Sequence, residues 1–521
     1  MRGGTILDGG GGEPFRADVV VSGARIAEIG DVPPTEAREL DATGLLVAPG
    51  FIDVHSHSDY TLLVDPRAVS AVHQGVTLEV IGNCGHGCFP VRDAALARNA
   101  IYGYDDAVPL TWSGAGEYFD ALERAGPAVN VLSLVPNGQL RLDALGSTDR
   151  PARPDELRAM RSRLARSLEE GAWGLSSGLE YATEAGAPEE ELRALCEVVA
   201  GVDGLYATHT RRRDAGAAAA VEEAVRTAER AGVRLQVSHL VPRSGLEESE
   251  RCLAVVEDAH ARGLDVAFDM HTRLFGFTYL ATALPPWAAE GGSAALHERL
   301  GDPRARERMK LHESILSSGG DWSRIVLLDN EVWPDQSRRD LGAIAAERGQ
   351  EPLDTVYDLL RDGGEETHRL MVMIRCYTEE QQELAFRHPL CMPGSDATTL
   401  APDGRLAQTV FHGAYTWAAW YYRHLVRETT VLTPAEAVRR LTRLPAERLG
   451  LRDRGVLRVG AFADLAVFDH EAFRDVATTH EPNRLATGMR HVLVNGTPTL
   501  RDGALTGERG GTVLRRPGRG G

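Results

Sequence analysis

The feature that most constrains the fold is a regular alternation of short apolar runs with helical stretches. Eight such runs recur through the middle of the chain, at residues 51–57, 77–83, 129–135, 173–178, 205–209, 235–239, 265–270 and 391–396. Helical patterns lie between them, for example over 155–170 and 215–231. This alternation is typical of βαβ units and a parallel sheet. Because a TIM barrel needs eight strand–helix units, we predict an α/β fold built on a TIM (β/α)8 barrel.

The two ends of the chain differ from this middle and resemble each other. Residues 1–46 and 451–514 both alternate β-rich runs with Gly and Asp turns, which is typical of small antiparallel strands. We therefore predict one small β-sandwich domain formed from both chain termini, attached to a barrel domain at 47–450. Residues 515–521 are rich in Arg, Gly and Pro, which predicts a disordered tail.

The gap between the seventh and eighth predicted strands is too long for one crossover connection. We expect it to hold an inserted, mainly helical subdomain at about residues 271–390. Helical patterns over 351–361 and 379–387 fall within it.

Charge and cysteine content exclude several classes of protein. The chain has 521 residues, with 57 Lys and Arg against 75 Asp and Glu, and a formal net charge of −18. Because no basic block is present to neutralise phosphates, a nucleic-acid partner is not expected. No run approaches the roughly 18 apolar residues of a membrane helix, and the first residues lack the apolar core of a signal peptide. Six scattered cysteines do not frame a disulfide scaffold, so we expect a reduced, cytoplasmic protein.

Polar side chains stand at the carboxyl ends of the predicted barrel strands. They are His55 and His57 on strand one, Cys84 after strand two, His209 and His239 on strands five and six, and Asp396 on strand eight. In TIM barrels these strand ends converge on the active site. The two strand-one histidines are two residues apart and so share a face. Imidazoles, a thiol and a carboxylate in one barrel mouth have the ligand types and number of a zinc site.

Each of these residues also has a structural interpretation. The strand-end histidines could simply meet water, although the first two end a run that is otherwise typical of a buried strand, which favours metal binding. Cys84 could be a buried structural thiol, could pair with Cys88, or could leave the ligand position to His86. Asp396 could cap a helix, although its place opposite the histidines favours a general base.

A short segment of the chain also matches the consensus of a serine-hydrolase motif. Residues 174–178, Gly-Leu-Ser-Ser-Gly, match the Gly-x-Ser-x-Gly nucleophile pattern. The pattern is short and common by chance, and no Asp-then-His order stands out after it. Since metal binding explains the histidines better, we expect no serine nucleophile here.

Four segments carry a resemblance to a known family. They are Gly-Phe-Ile-Asp-Val-His-Ser-His at 50–57, Gly-Asn-Cys-Gly at 82–85, Gly-Leu-Ser-Ser-Gly-Leu-Glu-Tyr at 174–181 and Val-Leu-Val-Asn-Gly at 492–496. With these the chain resembles the amidohydrolase superfamily and, within it, the N-acyl-D-amino-acid deacylase (D-aminoacylase) family. Gly-Asn-Cys-Gly is the most specific of the four. The resemblance runs nearly from end to end.

The resemblance implies a zinc-dependent hydrolase that cleaves the amide bond of an N-acylated, D-configured amino acid or a related small molecule. It assigns Cys84, His209 and His239 to one tightly held zinc. It assigns the two strand-one histidines to a second, weaker metal position and Asp396 to the catalytic base.

The departures from the family pattern lie in loops that face the substrate. Relatives often have a lysine two positions after the strand-six histidine, where this chain has Val241. Residues 269–273 and 411–415 also differ from the family pattern. Because a substrate carboxylate needs a cation, Arg243, Arg273 and Arg375 are the candidates, each with exposure to solvent as the alternative interpretation.

Two other functions fit the same residues. A cyclic-amide hydrolase (hydantoinase- or dihydroorotase-like) or a deaminase would keep the site and change the substrate. A carbamylated lysine would favour the former, but the only lysine, Lys310, lies in the predicted insert. A metal-binding barrel without catalysis is the more remote alternative, because a scaffold has no need of the general base Asp396.

Overall fold

The computed structural model describes residues 1–33, 36, 38–98, 101, 104, 108–146, 150–289, 292–312, 314–317, 320–364, 370–411, 413–478 and 481–517. Within these residues the chain forms a parallel barrel, a sheet built from both chain ends, and a subdomain inserted before the last barrel strand. The described residues contain no helix that is both long and apolar enough to cross a membrane.

The strands are numbered in chain order. They are β1 (Gly4–Ile6), β2 (Phe15–Ser22), β3 (Arg25–Gly30), β4 (Leu46–Pro49), β5 (Phe51–Asp53), β6 (Val76–Ile81), β7 (Asn130–Ser133), β8 (Val135–Pro136), β9 (Gly174–Gly178), β10 (Leu205–His209), β11 (Arg234–Val237), β12 (Val266–His271), β13 (Phe275–Tyr279), β14 (Ile325–Leu327), β15 (Met371–Arg375), β16 (Cys391–Gly394), β17 (Leu465–Phe468), β18 (Met489–Val494), β19 (Thr497–Arg501) and β20 (Ala504–Leu505).

The α-helices are numbered in the same way. They are α1 (Thr61–Val64), α2 (Val69–Val72), α3 (Ala94–Ala97), α4 (Ala115–Ala125), α5 (Asn137–Leu145), α6 (Pro154–Glu169), α7 (Glu189–Ala200), α8 (Ala217–Ala231), α9 (Leu246–Ala261), α10 (Gly292–Gly301), α11 (Pro303–Met309), α12 (Leu341–Arg348), α13 (Pro352–Asp362), α14 (Glu379–Arg387), α15 (Gly413–Tyr422), α16 (Pro434–Leu441) and α17 (Arg443–Leu449).

The barrel is made of parallel strands in two hydrogen-bonded groups. One group has the order β16-β12-β11-β10-β9-β8, and the other has the order β5-β6-β7. Strands β7 and β8 follow each other in the chain, which joins the groups on one side. On the other side, Ser56 forms a parallel bridge with Ala397, and the Asp396 amide donates to the His55 carbonyl at 2.8 Å. The eight apolar runs therefore form a closed barrel, which confirms the predicted fold class.

The apolar runs are continuous because both faces of the barrel wall are buried. One face fills the barrel interior with Ile52, Leu78, Leu132, Leu205, Ala267 and Met392. The other face packs against helices, as Phe51 and Val131 do in the large outer cluster. The polar residues at the strand ends form the site described below.

Both chain ends contribute to one eight-stranded sheet, of order β20-β19-β18-β17-β4-β1-β2-β3. Strand β4 lies at its centre, parallel to β1 and antiparallel to β17. A single residue, Gly50, separates β4 from barrel strand β5, and its amide donates to the Asp464 carbonyl at 2.8 Å. A Cβ atom at Gly50 would lie 2.1 Å from Oγ1 of Thr77, so only glycine fits this junction.

The inserted segment contains the two predicted helices as α13 and α14. It also contains a three-stranded antiparallel sheet of order β13-β15-β14, which the mainly helical prediction missed. The three strands are short and far apart in the chain, so no local pattern reveals their pairing. The first strand of this sheet, β13, follows barrel strand β12, and its central strand, β15, precedes the last barrel strand, β16.

The predicted disordered tail begins at Arg515, but that side chain is held against α4. Its guanidinium pairs with Asp120 and Glu123, and the Arg516 amide donates to the Gly171 carbonyl at 2.9 Å. Residues 518–521 lie outside the described residues, so the tail stays a prediction there.

Candidate metal centre

The predicted ligands lie together at the carboxyl end of the barrel, each on the last residue of a strand or just after it. Three of them have a left-handed backbone, with φ of 53° at Cys84, 34° at His239 and 43° at Asp396. Non-glycine residues adopt this conformation at a cost of about 1–3 kcal/mol each, and such residues cluster at functional sites. The turn thus directs each side chain into the mouth instead of along the strand.

A thiol and imidazoles form the inner part of the cluster. Cys84 Sγ lies 3.2 Å from Nε2 of His55 and 3.4 Å from Nε2 of His239. The same His239 nitrogen lies 3.2 Å from Nδ1 of His209. The ligand atoms of His55, Cys84 and His239 all lie within 4.8 Å of one another, and all four side chains are buried. One thiol and three imidazoles at these separations match the donor types and number of a tetrahedral zinc site.

A carboxylate forms the outer part. Oδ1 of Asp396 lies 3.3 Å from Nε2 of His57 and 3.5 Å from Nε2 of His55. The three ligand atoms form a second group that could hold a metal ion. His55 belongs to both groups, whereas the resemblance assigned it to the weaker position alone. The Asp396 side chain is 21% exposed, so it is the member of the cluster that a substrate can reach.

Neither alternative for Cys84 belongs to a candidate metal group of the described residues. Cys84 and Cys88 are both free thiols, not a disulfide. The His86 ring lies 6.2 Å from the His57 ring and 4.5 Å from the Tyr181 ring, measured between centroids. Within the described residues, His86 is not a member of either candidate metal group.

The serine motif forms strand β9 and serves the structure. Ser176 Oγ donates to the Gly82 carbonyl and accepts from the Gly85 amide at 3.0 Å, which ties β9 to the loop that carries Cys84. Ser177 Oγ bonds to the hydroxyl of Thr208 at 2.8 Å. The hydrogen bonds of both serines in the described part of the chain go to main-chain groups or to other hydroxyls.

Asp269, in the middle of β12, fixes two ligands at once. Its Oδ1 lies 3.0 Å from Nδ1 of His55 and accepts from the His239 amide at 2.8 Å. Its Oδ2 accepts from Nε2 of Gln236 at 2.9 Å. A carboxylate on Nδ1 leaves Nε2 of His55 directed at the thiol, as the carboxylates behind metal-binding histidines do. Sequence reasoning missed this role, although a charged residue inside an otherwise apolar strand was a usable signal.

Glu180, two residues after β9, does the same for His209. Its Oε2 lies 2.9 Å from Nε2 of His209, which leaves Nδ1 facing the cluster. Arg243 holds this carboxylate with both terminal nitrogens, one of them at 3.2 Å from Oε2. Although burial raises the pKa of Glu180, the charge of Arg243 and the bond to His209 bring it below its usual range.

Two of the histidines and the carboxylate have pKa shifts towards the forms that bind a metal, but His55 does not: burial lowers its pKa, and the charges of Asp269 and Cys84 raise it well above its usual value. Burial lowers the pKa of His209 to about 4 and that of His239 well below its usual value, so both are neutral at pH 7. Burial raises the pKa of Asp396, but the bond to His57 and nearby positive charge hold it well below its ordinary value. Burial also raises the pKa of the Cys84 thiol, with His55 opposing this, so a bound cation would favour its thiolate form.

The three predicted substrate-binding arginines have different surroundings. Arg273 is buried between Phe277 and Phe411, and its Nη2 lies 3.0 Å from Oδ2 of Asp396. Arg243 is paired with a glutamate, as described above. Arg375 is exposed at the end of β15, and no contact within the described residues links it to the cluster. The structure therefore brings two of the three to the site, each already bound to a carboxylate. Of residues 411–415, His412 lies outside the described residues.

Known proteins resemble this chain over its whole length. The sequence profile of the amidohydrolase family matches residues 38–500. An N-acyl-D-glutamate deacylase of Alcaligenes xylosoxydans xylosoxydans is 34% identical over 99% of this chain and 96% of its own length. A crystal structure of a D-aminoacylase is 30% identical, covers 99% of both chains and superposes with a TM-score of 0.82. An N-acyl-D-glutamate deacylase from Bordetella Bronchiseptica, complexed with zinc and a phosphonate inhibitor, is 31% identical, with coverage of 99% and 98% and a TM-score of 0.81. The extent of these matches confirms what the sequence motifs predict, and the chain belongs to the amidohydrolase family.

Proposed function

We propose that this protein is a zinc-dependent deacylase that hydrolyses the amide bond of an N-acylated D-amino acid. The observation that carries the proposal is a buried thiol with two imidazoles beside it and a third that contacts one of these, next to a carboxylate that is partly open to solvent. Two of the similar proteins are N-acyl-D-glutamate deacylases, and one of them is complexed with zinc. We also propose that the predicted site residues have the roles given below and that residues 47–450 form the catalytic barrel domain.

The donor set of the inner cluster fits zinc. As the resemblance implies, Cys84, His209 and His239 would hold one ion, since His239 lies within 3.4 Å of the thiol and within 3.2 Å of His209. The candidate group of His55, Cys84 and His239 shares two of these ligands, and His55, His57 and Asp396 would hold a second, weaker ion. A bound zinc ion supplies a Lewis acid that polarises the amide carbonyl and lowers the pKa of water to about 7.

Asp396 moves the proton in the proposed reaction. Because its pKa lies well below the ordinary value, the carboxylate is ionised at neutral pH and accepts a proton from the attacking water. It then delivers that proton to the nitrogen of the departing amine, which breaks the C–N bond. Arg273 binds Oδ2 and the main-chain carbonyl of Asp396, so Oδ1 stays directed at His57 and the reacting centre.

The position of the only lysine supports a deacylase over a hydantoinase-like enzyme. Lys310 pairs with Glu307 and Asp354 in the inserted subdomain, at 2.8 and 2.9 Å. A hydantoinase-like enzyme would need a carbamylated lysine at the barrel mouth to bridge two metals. Lys310 does not lie there, and Cys84 lies at the barrel mouth of this chain. We further propose a cytoplasmic location, since all six cysteines are free.

The test is amine release from a panel of substrates. The zinc-loaded protein is incubated with N-acetyl, N-formyl and longer-chain N-acyl derivatives of D- and L-amino acids. We expect hydrolysis of D-substrates only, abolished by a chelator and restored by zinc. Silence across the panel with zinc still bound contradicts the proposed substrate class and leaves cyclic amides as the next class to assay.

A further inference from the structure

Three buried arginines border the metal-binding cluster, and two of them are neutralised by carboxylates. Arg243 pairs with Glu180, and Arg273 pairs with Asp396. The third is Arg213, in the loop that follows β10. No carboxylate within the described residues forms an ion pair with it. Sequence reasoning did not select this residue, because it is the last of three consecutive arginines in a loop.

Arg213 is only 6% exposed as a residue, and its hydrogen bonds satisfy one guanidinium nitrogen. Nη2 donates to the main-chain carbonyls of His239 and Val241, the latter at 2.8 Å. The ring of Tyr377 lies 5.8 Å from the guanidinium carbon. Since the guanidinium has five N–H donors, these contacts leave Nε and Nη1 without an acceptor among the described residues.

A cation in this position is unfavourable unless something compensates it. A buried charge with neither an ion pair nor a full set of hydrogen bonds is rare in folded proteins. The two carbonyls hold the group in place, and they do not cancel its charge.

The guanidinium also lies next to the reacting centre. It is bonded to the main-chain carbonyl of the predicted ligand His239. The ring of Tyr377, which lies against the guanidinium, contacts the ring of His271, and that ring contacts His239, with centroids 5.0 and 6.4 Å apart. Arg213 therefore lies between the metal ligands and the inserted subdomain.

We propose that Arg213 binds the carboxylate of the substrate and so selects N-acyl amino acids over neutral amides. This inference rests on the proposed function, because it names the residue that recognises the amino-acid half of that substrate. Arg243 and Arg273 are less suited to this task, since a substrate carboxylate would first have to displace Glu180 or Asp396. A carboxylate on Nη1 or Nε of Arg213 gains a charge-assisted hydrogen bond and displaces nothing.

The test compares one acid with its neutral analogue. N-acetyl-D-methionine and its primary carboxamide differ only in the group that Arg213 would bind. Their dissociation constants are measured by isothermal titration calorimetry on the zinc-loaded Asp396→Asn protein, so that binding is not obscured by turnover. Arg213→Gln is made in that background, with Arg213→Lys as a second variant that keeps the charge. Arg212→Gln is the matched control, because Arg212 is the exposed neighbour that pairs with Asp214.

We expect Arg213→Gln to weaken the binding of the acid by about 10-fold or more and to leave the carboxamide unchanged, at unchanged zinc content and melting temperature. Arg213→Lys should retain part of the preference for the acid, and Arg212→Gln should retain all of it. If Arg213→Gln does not fold, an Arg213→Lys protein that binds the acid more weakly than the parent and the carboxamide equally well, at unchanged zinc content, supports the assignment, whereas unchanged affinity for both ligands overturns it. Equal losses for both ligands, or no loss for the acid, overturn it, as does failure of the parent to bind the acid.

The outcomes separate this inference from the proposed function. A wild-type protein that hydrolyses no N-acyl amino acid, but binds the acid in a manner that depends on Arg213, refutes the deacylase assignment and supports the carboxylate site. If the wild-type protein hydrolyses D-substrates but Arg213→Gln does not change the affinity for the acid, the deacylase assignment is supported and the carboxylate site is refuted.

Discussion

Replacing Glu180 by glutamine tests whether the carboxylate behind His209 supports metal binding. Glutamine keeps the size of the side chain and an oxygen acceptor for Nε2 of His209, which lies 2.9 Å from the carboxylate, but it removes the negative charge. Loss of such a carboxylate behind a metal-binding histidine costs about 10–100-fold in metal affinity, or about 1.4–2.7 kcal/mol. The same change leaves Arg243 without its partner in a largely buried position, and breaking a buried ion pair costs up to about 3–5 kcal/mol of folding stability.

The assay must separate these two effects. Zinc affinity is measured by competition with a chelator of known affinity at a temperature where the variant is folded, and stability is measured separately by thermal unfolding. Glu184→Gln is the matched control, since Glu184 is a buried glutamate in the same loop that bonds to Gly178 and Asn137. Burial raises the pKa of Glu184 to about 7, so its neutral replacement is mild. The reasoning is refuted if the Glu180 variant binds zinc as tightly as the Glu184 control.

Three further outcomes follow from the site. Asp396→Asn should retain zinc and lose activity by about 10²–10⁴-fold, and normal turnover of this variant would eliminate Asp396 as the base. Cys84→Ala should lose the tightly bound zinc, measured by elemental analysis after dialysis, whereas unchanged zinc content would point to His86 or Cys88. Gly413→Ala should lower kcat at unchanged zinc content, because a Cβ atom there would lie 2.0 Å from Nη1 of Arg273 and would displace it from Asp396. Equal kcat for this variant and the parent would show that Arg273 tolerates the shift.

The clustering of the proposed metal ligands was predictable because each of them ends or follows an apolar run. His209 and His239 end runs that a buried strand needs, and the topology of a barrel then dictates where such strand ends meet. Finding a polar residue at the end of an apolar run, and placing that end at the barrel mouth, require no knowledge of which residues face it from a neighbouring strand. The fold class was predictable for the same reason, since it depends on the number and spacing of the runs.

The residues that orient the ligands were not predictable in this way. Asp269 reaches His55 from a strand more than 200 positions later in the chain, and the contact depends on how β12 and β16 close the barrel against β5. Arg243 and Arg273 were predicted to bind a substrate carboxylate, but each is paired with a carboxylate of the protein. Side-chain type indicates which partner an arginine prefers, and only the fold shows whether that partner is already present.

The short link at Gly50 has a consequence for anyone who wishes to divide this protein. Strand β4, at the centre of the sheet made from both chain ends, continues through this one residue into β5 and then to His55 and His57. Because β4 is held in the sheet, it fixes the position of β5 along the barrel axis. A barrel excised without this sheet would lose that constraint, and we expect the two histidines to be less well positioned. The two domains therefore share one continuous stretch of chain that leads into the proposed site, so we expect changes in the terminal sheet to affect the positions of these two histidines.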